Sequence, residues 1–224
     1  MSEASIGRHA LFEAGEAAGM VGGACRGNLS APIMGVCADS RLCAPGSLFV
    51  ALPGQNLDGS AFARDALNRG ASAILADIKH KDRLSSLLVK NEYARACVIY
   101  VDDPLAGLQR LAREHRRRHA GLARVGVTGS SGKTTTKECI ASILRAHFGP
   151  EKVVVSEGNL NSDIGLALSL FSIRAAHMAG VFEMGMNRPG EMDELAFMYE
   201  PDLAVITNVG TAHLGMIGSR KGIA

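Results

Sequence analysis

The sequence predicts an α/β chain in two parts: a small N-terminal α/β domain, then a P-loop-type parallel-sheet domain that is truncated within this chain. Three observations predict it. Short apolar, strand-like runs alternate with helix-length segments along most of the 224 residues. From Arg124 onward the rhythm is β-α repeated, with spacers of helix length, which implies parallel βαβ units. The Gly/Ser-rich stretch Thr128–Thr135 falls between an expected strand and an expected helix. Composition agrees with a folded domain, since 47% apolar and 21% charged residues leave no room for extensive disorder. Lys+Arg 24 against Asp+Glu 22 gives +2, too weak a global field for a polyanion binder. Seven Phe, three Tyr and no Trp argue against a stacking surface for nucleic acid. No apolar run approaches the ~18 residues of a membrane span.

The first part spans residues 1–103. The segment before Cys25 superficially looks like a lipoprotein leader, but Glu13 and Glu16 interrupt it, and it reads as an amphipathic helix. Ile33–Cys37 reads as a strand and Ala38–Arg41 as a polar turn. Pro45-Gly46 marks another turn before a buried strand over Leu48–Leu52. Phe62, Ala63, Ala66 and Leu67 sit at helical spacing, with Gly70 as the stop. Ala73–Ala76 and Val98–Val101 complete the strands. The five cysteines, Cys25, Cys37, Cys43, Cys97 and Cys139, match no zinc or CxxC spacing, and are expected as small buried residues in a reducing, cytoplasmic setting.

The second part spans residues 104–224. Asp102-Asp103-Pro104 opens a junction helix with Leu105, Leu108, Leu111 and Ala112 on one face. It ends in Arg113, His115, Arg116, Arg117, Arg118 and His119. That run is expected to be a solvated face with cations near the helix C-terminus rather than a phosphate patch. Val125–Val127 is a strand. Lys133 to about His147 is a helix with Cys139, Ile140, Ile143, Leu144 and His147 on its inner face, stopped at Gly149-Pro150. A strand over Val153–Val155, a helix over Ile164–Ile173, a strand over Val181–Met184, a helix over Glu191–Met198 and a strand over Leu203–Thr207 follow.

Four places carry chemistry. In Gly129-Ser130-Ser131-Gly132-Lys133-Thr134-Thr135, glycines let amides turn inward, the helix start adds positive potential, Lys133 supplies a cation and Thr134 a hydroxyl for Mg²⁺. The spacing is shorter than the common P-loop, because Val127 stands where its first glycine would be. Glu183 lies in an apolar strand, where a carboxylate is costly unless it binds something: either Mg²⁺ or a neighbouring cation. His213 lies past the last strand, and from spacing alone is either structural or a ligand group. Gly158–Gly165 follows a strand and enters a helix. Ser162 or Asp163 would cap that helix, while Asn159 and Asn161 beside two glycines look like a binding loop.

Together these motifs resemble the ATP-dependent Mur ligases of peptidoglycan synthesis. The short loop is similar to that family's ATP loop, Glu183 stands where the family has its Mg²⁺-binding glutamate, and His213 stands where it has a histidine near metal and phosphate. Asp39-Ser40-Arg41, Pro45–Leu52 and Gly54–Phe62 resemble its UDP-sugar unit, with Ser60 where the family usually has His. Gly158–Gly165 and Ser130-Ser131 look most like the step that adds D-alanyl-D-alanine. The alternatives are the step that adds the diamino acid to UDP-N-acetylmuramoyl-dipeptide, whose enzymes usually carry Thr-Thr-Pro near Asn159 and Asn at Ser131, and a non-catalytic nucleotide-binding module.

The resemblance implies a carbon–nitrogen ligase that uses ATP and Mg²⁺. Its partners would be UDP-N-acetylmuramoyl-tripeptide and D-alanyl-D-alanine, with no nucleic acid and no membrane, and it would act as a cytoplasmic monomer. Lys133, Glu183 and His213 would be catalytic and residues 129–135 would hold ATP. Thr134 and Glu183 would hold the metal, and Ser40, Arg41, Asn159 and Asn161 the muramoyl substrate. The family's further lysine, counted from His213, would fall near position 227, and Lys221 does not occupy it. The family's third domain is not in the sequence either. The chain is therefore expected to be a fragment, inactive alone.

Overall fold

A computed structural model describes residues 10–54, 57–89 and 91–210. The chain divides into two compact units, 1–111 and 112–224, the division falling inside the junction helix.

In the first unit, β1 (Phe12–Glu13) leads into α1 (Ala14–Val21), which Gly22 closes in the left-handed region. Strands β2 (Ala24–Gly27), β3 (Pro32–Ile33), β4 (Gly35–Cys37) and β5 (Ser47–Val50) follow. The single strand expected over Ile33–Cys37 is split at Met34, because Pro32–Ile33 pair antiparallel with β1 while Gly35–Cys37 pair parallel with β5. A 3-10 turn over Gly59–Phe62 and α2 (Ala63–Asn68) lead to β6 (Ala73–Asp77). Helix α3 (Lys81–Leu87) joins it to β7 (Cys97–Val101); the sequence reading had no helix there. The sheet order is β2-β7-β6-β5-β4, parallel except for β2. Strands β5 and β7 are buried along their whole length, as strands covered on both faces must be.

The second unit begins in α4 (Pro104–Arg117) and continues through β8 (Ala123–Thr128), α5 (Lys133–Phe148), β9 (Val153–Val155) and α6 (Asp163–Leu170). It goes on through β10 (Ala179–Glu183), α7 (Glu191–Tyr199) and β11 (Leu203–Ile206). The strands are all parallel in the order β11-β8-β10-β9, so β8 and β10 are central. Val127, Val181 and Ala141 form the core on the α5 side. Phe182 points the other way, against Tyr199 with ring centroids 4.9 Å apart.

Two expectations about helix faces are corrected. Cys139 and His147 are exposed and Ile143 is 70% exposed; Ile140 and Leu144 do pack inward, joined by Lys137 and Ala141. Apolar residues at adjacent helical positions leave the angle of the buried stripe open, and the sheet selects it. The basic run of α4 is only in part a solvated face: Arg117 and Arg118 are exposed, but His115 and Arg116 are buried. Arg113 and Arg117 donate to Glu200 Oε1 at 2.8 and 2.9 Å, and Arg116, 3% exposed, pairs with Oε2. His115 is buried against Ile173 O at 3.1 Å, and burial lowers its pKa to about 4, so it is neutral.

Glu200 ends α7 with φ +51, a conformation unfavourable for a side-chain-bearing residue. Burial alone would raise its carboxyl, but hydrogen bonds from Arg113, Arg116 and Arg117 outweigh that and hold it at about 2. A depressed carboxylate stabilises the fold fully above its unfolded value near 4.5, and the gain is lost as pH falls through about 2. Glu200→Gln is expected to cost about 2 kcal/mol at pH 7, after discounting for solvent screening of the partly exposed carboxylate. It should also flatten the acid-side fall in stability below pH 4.5. Urea midpoints measured from pH 7 to 2.5 test this; a variant with the wild-type pH profile would count against it.

Candidate nucleotide and substrate sites

In the second unit the site lies at the C-terminal ends of the parallel strands, where an open α/β sheet gathers its ligand groups. Val127, the departure from common P-loop spacing, is still inside β8 and fully buried. The turn starts two residues later, at Gly129. Gly129 has φ +133 and Gly132 φ +78, and Gly132 enters α5 with no side chain capping the first turn. The first-turn amides thus lack a side-chain cap, at the positive end of a helix of 16 residues.

The two serines do something else. Ser130 N donates to Asn208 O and Ser131 N to Asn208 Oδ1, both at 3.1 Å. Asn208 Nδ2 donates to Ser131 Oγ at 2.8 Å, and Thr207 Oγ1 to Ser131 O at 2.6 Å. The segment after β11 therefore braces the loop. Lys133 Nζ reaches back to Gly129 O at 2.8 Å.

Glu183 closes β10 and is 3% exposed. Its Oε2 accepts from Thr134 Oγ1 at 2.7 Å and its Oε1 from Asn161 Nδ2 at 2.8 Å. Its amide donates to Ser156 Oγ at 3.0 Å. Among the described residues its carboxylate has hydrogen bonds from neutral donors and no ion pair. A buried carboxylate without a cation is costly, and two oxygen-bearing groups at hydrogen-bond range suit a hard divalent ion. The donor set fits Mg²⁺, with Thr134 and Glu183 as the residues that would hold it.

Asn161 Nδ2 reaches Glu183, so this residue orients that carboxylate. Asn159 is exposed on the same loop, and its carbonyl accepts from Asn161 N at 2.8 Å. Ser162, not Asp163, caps α6 through Gly165 N. Thr135 lies exposed in the first turn of α5. His213 and Lys221 lie outside the described residues.

Lys137 escaped the sequence reading. It is 1% exposed, one turn beyond Lys133, and donates to Ser156 O at 2.7 Å. It thereby fixes the residue that receives the Glu183 amide. Its spacing of four from Lys133 was the available signal, since both fall on one face of α5.

In the first unit, a cavity of about 630 Å³ opens beside the C-terminal ends of β4 and β5, lined by Asp39, Ser40, Arg41, Phe49, Phe62 and Asp65 among others. Asp39 caps the 3-10 turn Ser40–Leu42. Its carboxylate is held at about 2 by the Arg41 guanidinium, which donates from Nε at 3.0 Å and Nη2 at 2.6 Å. Ser40 is buried. Ser60 is also buried and bonds Asp58 Oδ1 and the Arg83 guanidinium. His80 meets the other Asp58 oxygen at 2.9 Å. At this position the serine thus ties the turn before α2 to α3.

Taken together, the second unit is a parallel α/β domain with a P-loop-type turn and a buried acidic residue set against that turn, and the first is a cavity-bearing α/β domain. Residues 32–116 match the family model described as Mur ligase family, catalytic domain, and residues 127–224 match Mur ligase middle domain. The chain belongs to the Mur ligase family. It is 44% identical over 190 residues to the UDP-N-acetylmuramoyl-tripeptide–D-alanyl-D-alanine ligase of Treponema pallidum, covering 85% of this chain and 40% of that protein. The Bacillus subtilis protein of the same name is 39% identical, with 86% and 39% covered. Among solved structures, MurF from Acinetobacter baumannii superposes with a TM-score of 0.81 at 31% identity, covering 95% of this chain and 44% of that one. MurF from Thermotoga maritima, solved in complex with ADP, gives 0.69 at 36% identity, covering 84% and 40%. The chain thus spans about two fifths of the length of these relatives. Among the described residues no helix is long and apolar enough to cross a membrane.

Proposed function

We propose that this chain carries the substrate and nucleotide units of an ATP-dependent ligase of peptidoglycan precursor synthesis, one that joins D-alanyl-D-alanine to UDP-N-acetylmuramoyl-tripeptide. The observation that carries the reading is the buried Glu183 carboxylate joined to the loop hydroxyl of Thr134. Four relatives bearing on the substrate, at 34–44% identity, share that activity in their names.

Lys133 and the first-turn amides of α5 neutralise charge on the nucleotide phosphates as the tripeptide carboxylate attacks the γ-phosphate. That step yields an acyl phosphate and ADP. The amine of D-alanyl-D-alanine then attacks the acyl carbon and phosphate leaves. The protein's contribution is positioning and charge stabilisation. Mg²⁺ would supply further neutralisation at the phosphates. Thr134 and Glu183 present the oxygens for it, Asn161 holds the Glu183 carboxylate in place, and Lys137 and Ser156 hold its backbone. His213 would serve the phosphate side. Ser40 and Arg41 receive the UDP end, with Phe62 offering an apolar wall, and Asn159 faces the muramoyl-peptide.

Calorimetric titration of the folded chain with UDP-N-acetylmuramoyl-tripeptide and with the dipeptide form tests the substrate assignment. Tighter binding of the tripeptide form is expected. Equal or tighter binding of the dipeptide form would refute it.

A further inference from the structure

The five cysteines do not share one fate. Cys139 is exposed in the second unit, and Cys25 and Cys97 lie on β2 and β7. Cys37 and Cys43 are different: both are only 9% exposed, and their sulfurs are 2.8 Å apart. A disulfide bond is about 2.05 Å long, so closure needs roughly 0.8 Å of approach. Both cysteines are held by backbone hydrogen bonding. Cys37 ends β4, in register with Phe49, and Cys43 follows the 3-10 turn with its amide on Ser40 O at 3.2 Å. Cys37 also meets Leu48 O at 3.8 Å and the Ser47 side chain, and Cys43 meets Asp39 O at 3.9 Å. Between the two cysteines run Asp39, Ser40 and Arg41, which line the cavity of the first unit.

We propose that Cys37 and Cys43 are a reversible dithiol–disulfide pair that staples the Asp39–Leu42 turn at the wall of this cavity. A small peroxide is the oxidant. One sulfur attacks its O–O bond, giving a sulfenic acid and one water. The second sulfur then displaces that hydroxyl as a second water, and the S–S bond forms. The cysteines lose two electrons and two protons, and one peroxide becomes two waters. A dithiol reductant reverses the step by exchange. Burial raises both thiols above their ordinary range, so the reduced pair is protonated at neutral pH and reacts slowly with peroxide.

The sequence gives a direct readout, because trypsin cuts after Arg41, between the two cysteines. The chain is treated with hydrogen peroxide, its remaining thiols are alkylated, and the digest is weighed. The expected result is the peptide Gly27–Arg41 joined to Leu42–Arg64 at 2 Da below their sum, separated again by dithiothreitol. The oxidised chain should also unfold about 5 °C higher. Cys43→Ser should abolish the linked species and leave Cys37 alkylated or carrying one oxygen. Recovery of the wild-type peptides separately alkylated after peroxide would overturn the proposal. So would oxygen addition at Cys37 or Cys43 without linkage, or linkage of either one to Cys25, Cys97 or Cys139 instead.

Discussion

Replacing Lys133 with alanine is expected to weaken binding of ATP or ADP to this chain about 100-fold while leaving its fold nearly unchanged. The ammonium sits at the mouth of α5 and its protein contact is Gly129 O at 2.8 Å. Losing that one bond costs about 1 kcal/mol of stability. Losing a charge-assisted contact to phosphate costs about 2–3 kcal/mol of binding, which is roughly two decades in affinity. In a protein of the relatives' full length, turnover should fall on the order of 10³-fold, since the same charge is needed as the phosphoryl group moves. Calorimetry on the chain, paired with urea unfolding, separates the two effects. Nucleotide affinity equal to wild type would remove Lys133 from the site.

The second large effect is expected at Gly129. With φ at +133 this position suits glycine alone, and a Cβ there would lie 2.1 Å from Thr207 Oγ1 and 3.0 Å from Asn208 N. Gly129→Ala must therefore push away the two residues that brace the loop. Backbone strain and displaced packing together should cost about 3 kcal/mol in the second unit. Nucleotide binding should be lost with the loop's shape, since the Ser130 and Ser131 amides lose Asn208. Adding Thr207→Ala removes the nearest clash but not the backbone strain, so it should restore only part of the stability. Urea unfolding with ADP titration of both variants is the check. A single variant that binds ADP as wild type does would show that the loop tolerates a different path.

Several parts of this architecture were readable from local pattern. A glycine-bearing turn between an apolar strand and a helix needs no partner to declare itself, because the turn and the uncapped helix start are local backbone properties. Glu183 was visible for a similar reason: a carboxylate in a buried strand is anomalous wherever the strand lies. The alternation of strands and helices, a cap at Ser162 or Asp163 and the Asp39-Ser40-Arg41 turn all depend on neighbours a few residues away.

What only the tertiary structure decided are the partnerships across long separations. Asn161 reads from sequence as part of a binding loop, and the fold joins it to Glu183, 22 residues on. Arg113, Arg116 and Arg117 read as a solvated face, yet they converge on Glu200, which gains its place through α7. Asn208 meets Ser131, 77 residues earlier, because β11 pairs with β8. Lys137 is buried because the sheet chose which side of α5 to cover, and Cys37 meets Cys43 because a 3-10 turn folds the chain back. Sequence by itself determined the kinds of element and the residues whose chemistry is costly where they stand. Strand order and register determined which of those residues meet, since periodicity specifies a face but carries no information about the distant segment packed against it.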